Sequence, residues 1–321
     1  MFGDKVVCMG ELLIDFTSLV PGASIADTPG FEKNPGGAPA NVAVGVARLG
    51  GSSAFLGMVG DDEFGRFLAG VLERNGVNTS GLRYSHQAHT TLAFVALRED
   101  GEREFVFYRN PGADMLYSVD DIDADVVKEC RIFCHGSNSM IHAANRDATL
   151  TAAALARQNH ALVVYDPNIR LNLWDSESSA REIIPLGIAG ADMVKLSEEE
   201  LTFITGCTDI DAGMDKVREQ GPRAVIVTRG GLECHYSWPR CRGTVPTTPT
   251  KVVDATGAGD AFLAGILHKL AYHTTRLEVY REDDMEMVLS FAHAVAGLCV
   301  GSRGAIPAMP TLEMVEAAMG R

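Results

Sequence analysis

The 321-residue sequence is poor in long apolar runs and in basic charge, and each shortage excludes a class of partner. No apolar segment reaches the roughly 20 residues that a membrane-spanning helix needs. With 28 Lys and Arg against 42 Asp and Glu, the net charge is −14, which argues against nucleic-acid or anionic-membrane partners. Any anionic ligand must then be held by local N–H groups, a few cations and a metal.

Paired cysteine motifs are also missing. The seven cysteines are an odd number and form no C-x-x-C motif, which argues against a disulfide framework and fits a reducing compartment. Residues 1–9 show neither a basic region with a cleavage site nor an Arg/Ser-rich transit segment. We therefore expect a cytosolic protein, and the 46% hydrophobic content supports a sizeable core.

From residue 131 onward, apolar strand-like segments alternate with segments of helical periodicity. Strands are predicted at 131–135, 161–166, 193–196 and 224–228, with helices over 145–158, 176–186, 197–205 and 211–219. Such alternation predicts an α/β fold with a doubly wound, mostly parallel sheet flanked by helices. Core strands at 6–9 and 54–59 and helices over 61–75, 283–300 and 311–319 complete the prediction.

A second group of predicted strands is partly polar. Segments 14–19 and 31–33 bracket a Pro/Gly/Ser loop, and 90–97 and 104–109 form a predicted hairpin with a turn at Asp100-Gly101. We expect these segments to form a small β-sheet lid, made by about 13–35 and 88–112, within a single domain over 1–321.

The stretch Asp254-Ala-Thr-Gly-Ala-Gly-Asp260 is the first candidate site. Gly257, Ala258 and Gly259 expose backbone N–H groups, and the apolar periodicity that follows predicts a buried helix, so this helix N-terminus is a candidate anion site. The Asp260 carboxylate would repel an anion unless it accepts a proton, as a phosphoryl-acceptor hydroxyl would require. Alternatively, Asp260 simply stabilises the helix dipole.

A second glycine-rich stretch, Pro35-Gly-Gly-Ala-Pro-Ala-Asn41, precedes another predicted core helix that ends at Gly50-Gly51. Adjacent glycines and an Asn suit close approach to a hydroxyl-rich ligand, although a Gly/Pro turn before an ordinary helix shows the same pattern.

Polar residues also follow three predicted strands, where parallel sheets bind ligands. Each group alone is typical of a turn or helix cap, but the three could converge on one crevice: Asp166, Asn168 and Arg170; Lys195 and Glu200; Thr228 and Gly230.

At the two glycine-rich stretches the sequence resembles the PfkB, or ribokinase-like, family of sugar kinases. Residues 36–41 with Gly50 and Gly60 are similar to the first family signature, and residues 254–260 to the second. Other segments are similar to plant-type fructokinases: Gly10-Glu-Leu-Leu-Ile-Asp15-Phe, Val59-Gly-Asp-Asp-Glu-Phe-Gly-Arg66, Asp100-Gly-Glu-Arg-Glu-Phe105 and Asp166-Pro-Asn-Ile-Arg170.

The resemblance implies a ribokinase-like fold and ATP-dependent phosphorylation of D-fructose to fructose 6-phosphate. It makes Asp260 the general base and Gly257, Ala258 and Gly259 the anion hole, with Arg170 on phosphate. The sugar-binding residues that it implies are Asp15, Gly36, Gly37, Asn41, Phe107, Arg109 and Asn168. For Arg109 and Arg170 the alternative is a surface ion pair.

For ATP the resemblance implies Lys195, Thr228, Gly230, Gly257, Gly259 and His293, although a lone His on an apolar helix can be purely structural. Ser197-Glu-Glu-Glu200 lies where the family has an Asn-x-x-Glu motif, so Glu200 would act on Mg²⁺ through water. A K⁺ ion is a further implied cofactor, held by Asp254, Thr256, Ser302 and Gly304. Glu233 replaces a common family glycine and could weaken ATP binding.

Several alternatives remain open at this point. The enzyme could phosphorylate ketodeoxygluconate, ribose or a nucleoside, since fold does not decide the substrate. A catalytically silent sugar-binding homologue is a further alternative, although it would be expected to lose Asp260 or its glycines. Exposed lid strands invite pairing with a second subunit, so we expect a homodimer through the lid.

Overall fold

The computed structural model describes residues 5–20, 22–97 and 103–320. The first four residues and the predicted turn at Asp100-Gly101 lie outside these ranges. The strands in chain order are β1 (Val6–Met9), β2 (Leu13–Ser18), β3 (Phe31–Gly36), β4 (Ser53–Gly60), β5 (Asn78–Ser85), β6 (Leu92–Leu97), β7 (Arg103–Tyr108), β8 (Ile132–His135), β9 (Leu162–Tyr165), β10 (Met193–Ser197), β11 (Ala224–Thr228), β12 (Cys234–Ser237) and β13 (Arg242–Val245). The α-helices are α1 (Ala38–Arg48), α2 (Glu63–Arg74), α3 (Ala124–Lys128), α4 (Ala143–Gln158), α5 (Glu177–Gly190), α6 (Glu198–Thr205), α7 (Ile210–Arg218), α8 (Ala258–Tyr272), α9 (Glu282–Cys299) and α10 (Leu312–Ala318).

Nine strands form the main sheet in the order β13-β12-β11-β10-β9-β8-β1-β4-β5. From β5 to β11 every neighbouring pair is parallel, whereas β12 pairs antiparallel with both β11 and β13. At the antiparallel edge, β12 and β13 form a hairpin that follows β11 in the chain. The predicted doubly wound, mostly parallel sheet is confirmed.

The central strands are apolar on both faces because both faces are covered by helices. In β1, Val6 and Cys8 belong to the core cluster that contains α1, α8 and α9. Val7 and Met9 point to the other face, where they pack in the cluster that contains α4. A strand buried on both faces reads as a continuous apolar run, which is why the sequence predicted these strands well.

The strands β2, β3, β6 and β7 form a separate small sheet in the order β3-β2-β6-β7. Strand β2 begins only a few residues after β1, so the small sheet lies over the carboxyl end of the main sheet. Stacking of Phe16 on Phe94, with ring centroids 5.0 Å apart, links β2 to β6. This sheet corresponds to the strands predicted for the lid.

Two elements were not predicted. Strand β5 is an edge strand of mixed polarity (Asn-Thr-Ser-Gly-Leu-Arg-Tyr-Ser), and only Gly81, Leu82 and Ser85 of its residues are buried. Its pairing with β4 stabilises it more than its own composition does. Helix α3 has five residues, too few for a periodic pattern. Among the described residues, none of the helices combines the length and the apolar content that crossing a bilayer requires.

Candidate active site

A cavity of about 570 Å³ lies between the small sheet, the carboxyl ends of the parallel strands and the N-terminus of α8. The predicted site residues that line it are Asp15, Gly37, Asn41, Phe107, Arg109, Asn168, Arg170, Lys195, Asp254, Thr256, Gly257, Ala258, Gly259, Asp260 and Gly304. The two glycine-rich stretches and two of the three strand ends therefore meet in one cavity, as the sequence suggested.

Asp260 occupies the first turn of α8 and is only 9% exposed. Its Oδ2 accepts a hydrogen bond of 2.7 Å from the Asn41 amide on α1. Burial raises the pKa of Asp260 to about 6 and Asp166 contributes in the same direction, whereas Asn41, Lys195 and Arg170 oppose the shift. With a pKa near 6, the Asp260 carboxylate is mostly ionised at neutral pH and can accept a proton. It is also more basic than an ordinary carboxylate, which helps it take a hydroxyl proton during attack.

Two glycines bring the start of α8 close to its neighbours. Gly257 caps the helix with a φ of 79°, a conformation that favours glycine, and a Cβ there would lie 2.7 Å from Ala305 Cβ. A Cβ on Gly259 would lie 3.0 Å from the Lys195 ammonium. A helix N-terminus with a lysine beside it forms a positive end to the cavity, suited to an anion.

Lys195 is held in a buried ion pair. Its Nζ lies 2.9 Å from Asp166 Oδ2, and both residues are 6% exposed. Burial disfavours the ammonium, but Asp166 and Glu200 outweigh burial and raise the pKa of Lys195. Lysine therefore stays charged at the anion-binding end of the cavity.

Glu200 lies behind this pair rather than on the cavity wall. Its Oε2 accepts from the Ser197 N–H at 2.8 Å as part of a capping box at α6, and its Oε1 accepts from Ile169 N–H at 2.7 Å. Burial raises the pKa of Glu200, with Asp166 as a second cause. The sequence predicts that Glu200 acts on a metal ion through water molecules. A position one layer behind the cavity wall is compatible with that role.

The opposite end of the cavity is built by β2, β3 and the start of α1. Asp15 on β2 pairs in register with Asn34 on β3. A Cβ on Gly36 would lie 2.1 Å from Asp15 Oδ2, so Gly36 leaves the room that this carboxylate occupies. Gly37 has a φ of 110°, and a Cβ there would lie 2.3 Å from the Glu11 carbonyl oxygen. At both positions the close neighbour belongs to the protein itself, so these glycines shape the cavity wall, and their role in close approach of a ligand stays a prediction.

Arg109 lines the cavity from the end of the small sheet but is already paired. Its Nε and Nη2 donate to Asp114 Oδ2 at 2.9 and 2.6 Å, and Nη2 also donates to the Asn138 carbonyl at 3.2 Å. The Arg109 side chain is 6% exposed and that of Asp114 is 1% exposed. The ion pair is therefore buried, which corrects the alternative of a surface ion pair for Arg109.

Arg170 and Asn168 follow β9 along the same wall. Arg170 is exposed to the cavity mouth, where its positive charge acts on Asp260. It donates to the Ile169 carbonyl at 3.1 Å. Asn168 has a φ of 44°, a left-handed conformation that asparagine tolerates better than most residues.

The predicted K⁺ residues come together in part. Asp254 Oδ1 accepts from the N–H and Oγ1 of Thr256, at 2.9 and 2.7 Å, and its Oδ2 accepts from Gly304 N–H at 3.0 Å. This carboxylate therefore joins the turn before α8 to the segment after α9. Ser302 lies off the cavity wall, and its N–H donates to the Cys299 carbonyl.

Three of the residues predicted for ATP, Thr228, Gly230 and His293, do not line this cavity. Thr228 Oγ1 donates to the Leu196 carbonyl at 3.2 Å, and Gly230 has a φ of 60°. His293 Nε2 lies 3.2 Å from the Val245 carbonyl, and its ring packs 5.0 Å from Phe262. Burial lowers the pKa of His293. Its contacts are those of a packed structural histidine.

Glu233 is turned toward an arginine. Arg229 donates to Glu198 Oε2 at 3.0 Å and to Glu233, so one guanidinium bridges two carboxylates at the end of β11.

Among the described residues, two buried polar residues of the cavity were missed in the sequence. Glu11 is 5% exposed, and its Oε1 accepts from Ala38 N–H at 3.3 Å and from the Asn138 amide at 3.2 Å. Glu11 stands in the segment Gly10–Phe16, whose likeness to fructokinases was a usable signal. Asn138 lies in a short 3₁₀ turn after β8, and no local pattern marks it.

The chain is similar to known proteins over nearly its whole length. A family model described as "pfkB family carbohydrate kinase" matches residues 4–312. "Probable fructokinase-7" of Arabidopsis thaliana is 48% identical over 97% of this chain and 91% of its own length. Fructokinase-2 of Solanum lycopersicum is 45% identical over 95% of this chain and 93% of its own.

Two solved structures extend the similarity to the fold. Fructokinase with bound ATP from Xylella fastidiosa superposes with a TM-score of 0.90 at 35% identity, covering 99% of this chain and 98% of that one. A fructokinase double mutant from Vibrio cholerae O395, in its fructose-, ADP- and potassium-bound form, gives 0.87 at 30% identity over 98% and 97% of the two chains. The resemblance found in the sequence is confirmed.

Proposed function

Because the chain belongs to the pfkB family of carbohydrate kinases, we propose that it transfers the γ-phosphate of ATP to D-fructose and forms fructose 6-phosphate. Relatives named fructokinases, 44–48% identical over nearly the whole chain, support the choice of sugar. The observation that carries the proposal is Asp260, a buried carboxylate of raised pKa at the N-terminus of α8 and hydrogen-bonded to Asn41.

The reaction follows from the two ends of the cavity. The fructose hydroxyl lies between Asp260 and the γ-phosphate, and Asp260 takes its proton as the oxygen attacks phosphorus and the bond to ADP breaks. The N–H groups of Gly257, Ala258 and Gly259, with the helix dipole, stabilise charge on the transferring group. Lys195 and Arg170 add positive charge at the same end. Asn41 orients the Asp260 carboxylate.

The sugar is held at the other end of the cavity. Asp15 and Asn41 bind its hydroxyls, Gly36 makes room for the Asp15 carboxylate, and Gly37 lines the cavity beside it. Phe107, Arg109 and Asn168 complete its walls, and the small sheet acts as a lid over it. Lys195 and the glycines contact ATP phosphates, and Thr228 and Gly230, at the end of β11, are the proposed residues toward the rest of the nucleotide.

Mg²⁺ fits the residues behind the phosphate end. Asp166 Oδ1 is buried and has no hydrogen-bond partner among the described residues, and the Glu200 carboxylate lies close behind it. Both can act on Mg²⁺ through its waters. When bound, the ion neutralises the negative charge of the ATP phosphates. A K⁺ ion would be held by Asp254, Thr256, Ser302 and Gly304, next to the anion-binding turn.

A substrate panel tests the proposal. ADP release is measured with ATP, Mg²⁺ and fructose, glucose, ribose, ketodeoxygluconate or adenosine. We expect turnover on fructose, and a loss of at least roughly 10²-fold in Asp260→Asn, the range typical for removal of a general base. Asp147→Asn, an exposed carboxylate on α4, is the matched control. Turnover on another sugar would replace fructose as the proposed substrate. Fructose binding without any turnover would favour a catalytically silent homologue.

We also propose a homodimer that forms through the small sheet. Its edge strands are β3 and β7, and β7 exposes Phe105, Val106 and Tyr108, the last of them 65% exposed. Exposed apolar edges favour strand pairing between subunits. We further propose a cytosolic location. The seven cysteines, all within the described ranges, form no disulfide, as is usual in a reducing compartment. Fractionation of the native source tests this location.

A further inference from the structure

The two ends of the cavity differ in charge. Lys195 and Arg170 lie at the phosphate end, where both act on Asp260. At the sugar end the lining carboxylates are Glu11, Asp15 and Glu32. Arg109 is the cation that lies among these carboxylates. The interactions of Arg109 therefore decide how well this end of the cavity binds a sugar that carries a negative charge.

Arg109 is held in place by groups of the protein itself. Two of its nitrogens donate to Asp114 Oδ2, and one of them also reaches the Asn138 carbonyl. Asp114 is itself fixed, because Thr91 Oγ1 donates to its Oδ1 at 2.5 Å. With 6% and 1% of their side chains exposed, both partners are shielded from water and from salt. A ligand carboxylate would have to displace Asp114 to gain the same bonds.

Glu11 adds a second buried carboxylate to this cluster. Its Oε2 is buried and has no hydrogen-bond partner among the described residues, and it lines the same cavity. Burial raises the pKa of Glu11, and the charge of Arg109 opposes that rise. Asp114 alone therefore balances the charge of Arg109, and Glu11 is a second buried carboxyl group on which that charge acts, so this end of the cavity has no excess positive charge.

Resting on the proposed function, we propose that the buried carboxylates of Asp114 and Glu11 neutralise Arg109 and make the sugar end of the cavity selective for an uncharged sugar over a sugar acid. Moving a sugar carboxylate out of water is costly unless a cation or hydrogen-bond donors replace its hydration. Here it meets a neutralised guanidinium and like charges. Arg303 also lines the cavity, but its side chain is exposed at the rim, where water screens it.

The test compares kcat/KM for fructose and for 2-keto-3-deoxygluconate, a six-carbon keto acid. Asp114→Asn keeps the size of the side chain and removes its charge, so Arg109 regains a net positive charge. We expect the ratio of keto acid to fructose activity to rise about 10-fold or more, as for a gained hydrogen bond between charged groups. Thr91→Val is the matched control, because it removes a hydrogen bond to Asp114 and keeps the charge; its ratio should equal that of the unmodified protein.

Glu11→Gln is the second variant, and it covers the case in which Asp114→Asn fails to fold. Gln keeps the Oε1 acceptor toward Ala38 and Asn138, and we expect a smaller rise in the same ratio. Calorimetric binding of each sugar without ATP should show the same order of affinities. An unchanged ratio in every folded charge-removing variant, or an equal rise in Thr91→Val, would overturn the inference. A protein that does not phosphorylate fructose at all would instead overturn the proposed function.

Discussion

At the scale of single residues, the site depends on how Asp260 is balanced between burial and its neighbours. Burial raises its pKa to about 6, and the Asn41 hydrogen bond is the foremost opposing contribution. A protonated Asp260 cannot accept the hydroxyl proton. The pH profile of the enzyme therefore reports this balance directly.

We expect kcat/KM for fructose to fall as pH drops through about 6, because the free enzyme loses its base there. Asn41→Ala removes a hydrogen bond that lowers this pKa, so the acidic limb should move to higher pH. Profiles of kcat/KM against pH, recorded over roughly pH 5 to 9, measure the shift of the acidic limb. Asn159→Ala, at the C-cap of α4, is the control and should keep the original limb. A limb that does not move in Asn41→Ala would contradict the assignment of Asp260 as the titrating base.

The proposed function gives Lys195 a role in both stability and chemistry. Lys195→Met leaves Asp166 buried without its partner at 2.9 Å, and breaking such a pair costs about 3–5 kcal/mol. Adding Asp166→Asn should return part of the free energy of unfolding, measured in urea, but not the phosphoryl-transfer rate. If both recovered together, Lys195 would have no role beyond packing.

The residue scale is also where sequence alone was weakest. Asp260 and Asn41 stand in strong local motifs, and the structure brings them within 2.7 Å. Asp114 and Asn138 carry no local signal, because their importance comes from Arg109, which meets them only in the folded chain. For His293 the resemblance gave a nucleotide role, whereas its contacts are a backbone carbonyl and an aromatic ring.

At the scale of elements, the start of α1 is held against β1 and β2 by tight backbone contact at Gly37. Gly37→Ala would place a Cβ 2.3 Å from the Glu11 carbonyl oxygen, so α1 must move, and Asn41 with it. We expect KM for fructose to rise and kcat to fall together. Gly50→Ala is the matched control: its φ is also positive, at 82°, but nothing lies within 4 Å of its Cβ. It should cost about 1–2 kcal/mol of stability and leave the kinetics unchanged.

The turn before α8 is tied to the segment after α9 by Asp254, which accepts from Thr256 and from Gly304. If this turn also holds K⁺, replacing potassium salts by choline salts should lower kcat, and Asp254→Asn should remove the difference between the two salts. Activity that is indifferent to potassium in the unmodified protein would exclude the proposed K⁺ site.

Elements with a strong pattern were predicted to within a few residues, and weak ones were missed. The helix predicted over 283–300 is α9, Glu282–Cys299. Strand β5 was missed because an edge strand gains its stability from pairing with β4, which a window of sequence does not show.

At the scale of the whole molecule, the small sheet matters because the proposed homodimer forms through it. A homodimer through its edges predicts a dimer mass in light scattering and a shift toward monomer in Val106→Glu, which puts a charge on exposed β7. Glu278→Lys, on an exposed segment outside the small sheet, should stay dimeric. A monomer mass for the unmodified protein would contradict the dimer.

The hydrogen bond between Asn41 and Asp260 joins residues 219 positions apart in the chain. During synthesis, therefore, the ribosome releases the sugar-binding half long before the base exists. A nascent chain that stops before α8 contains every strand of the main sheet but cannot assemble the reacting centre. Contacts between residues so far apart in the chain form slowly. On refolding, recovery of activity should therefore lag behind recovery of the helical signal. Activity would then measure the last step of folding.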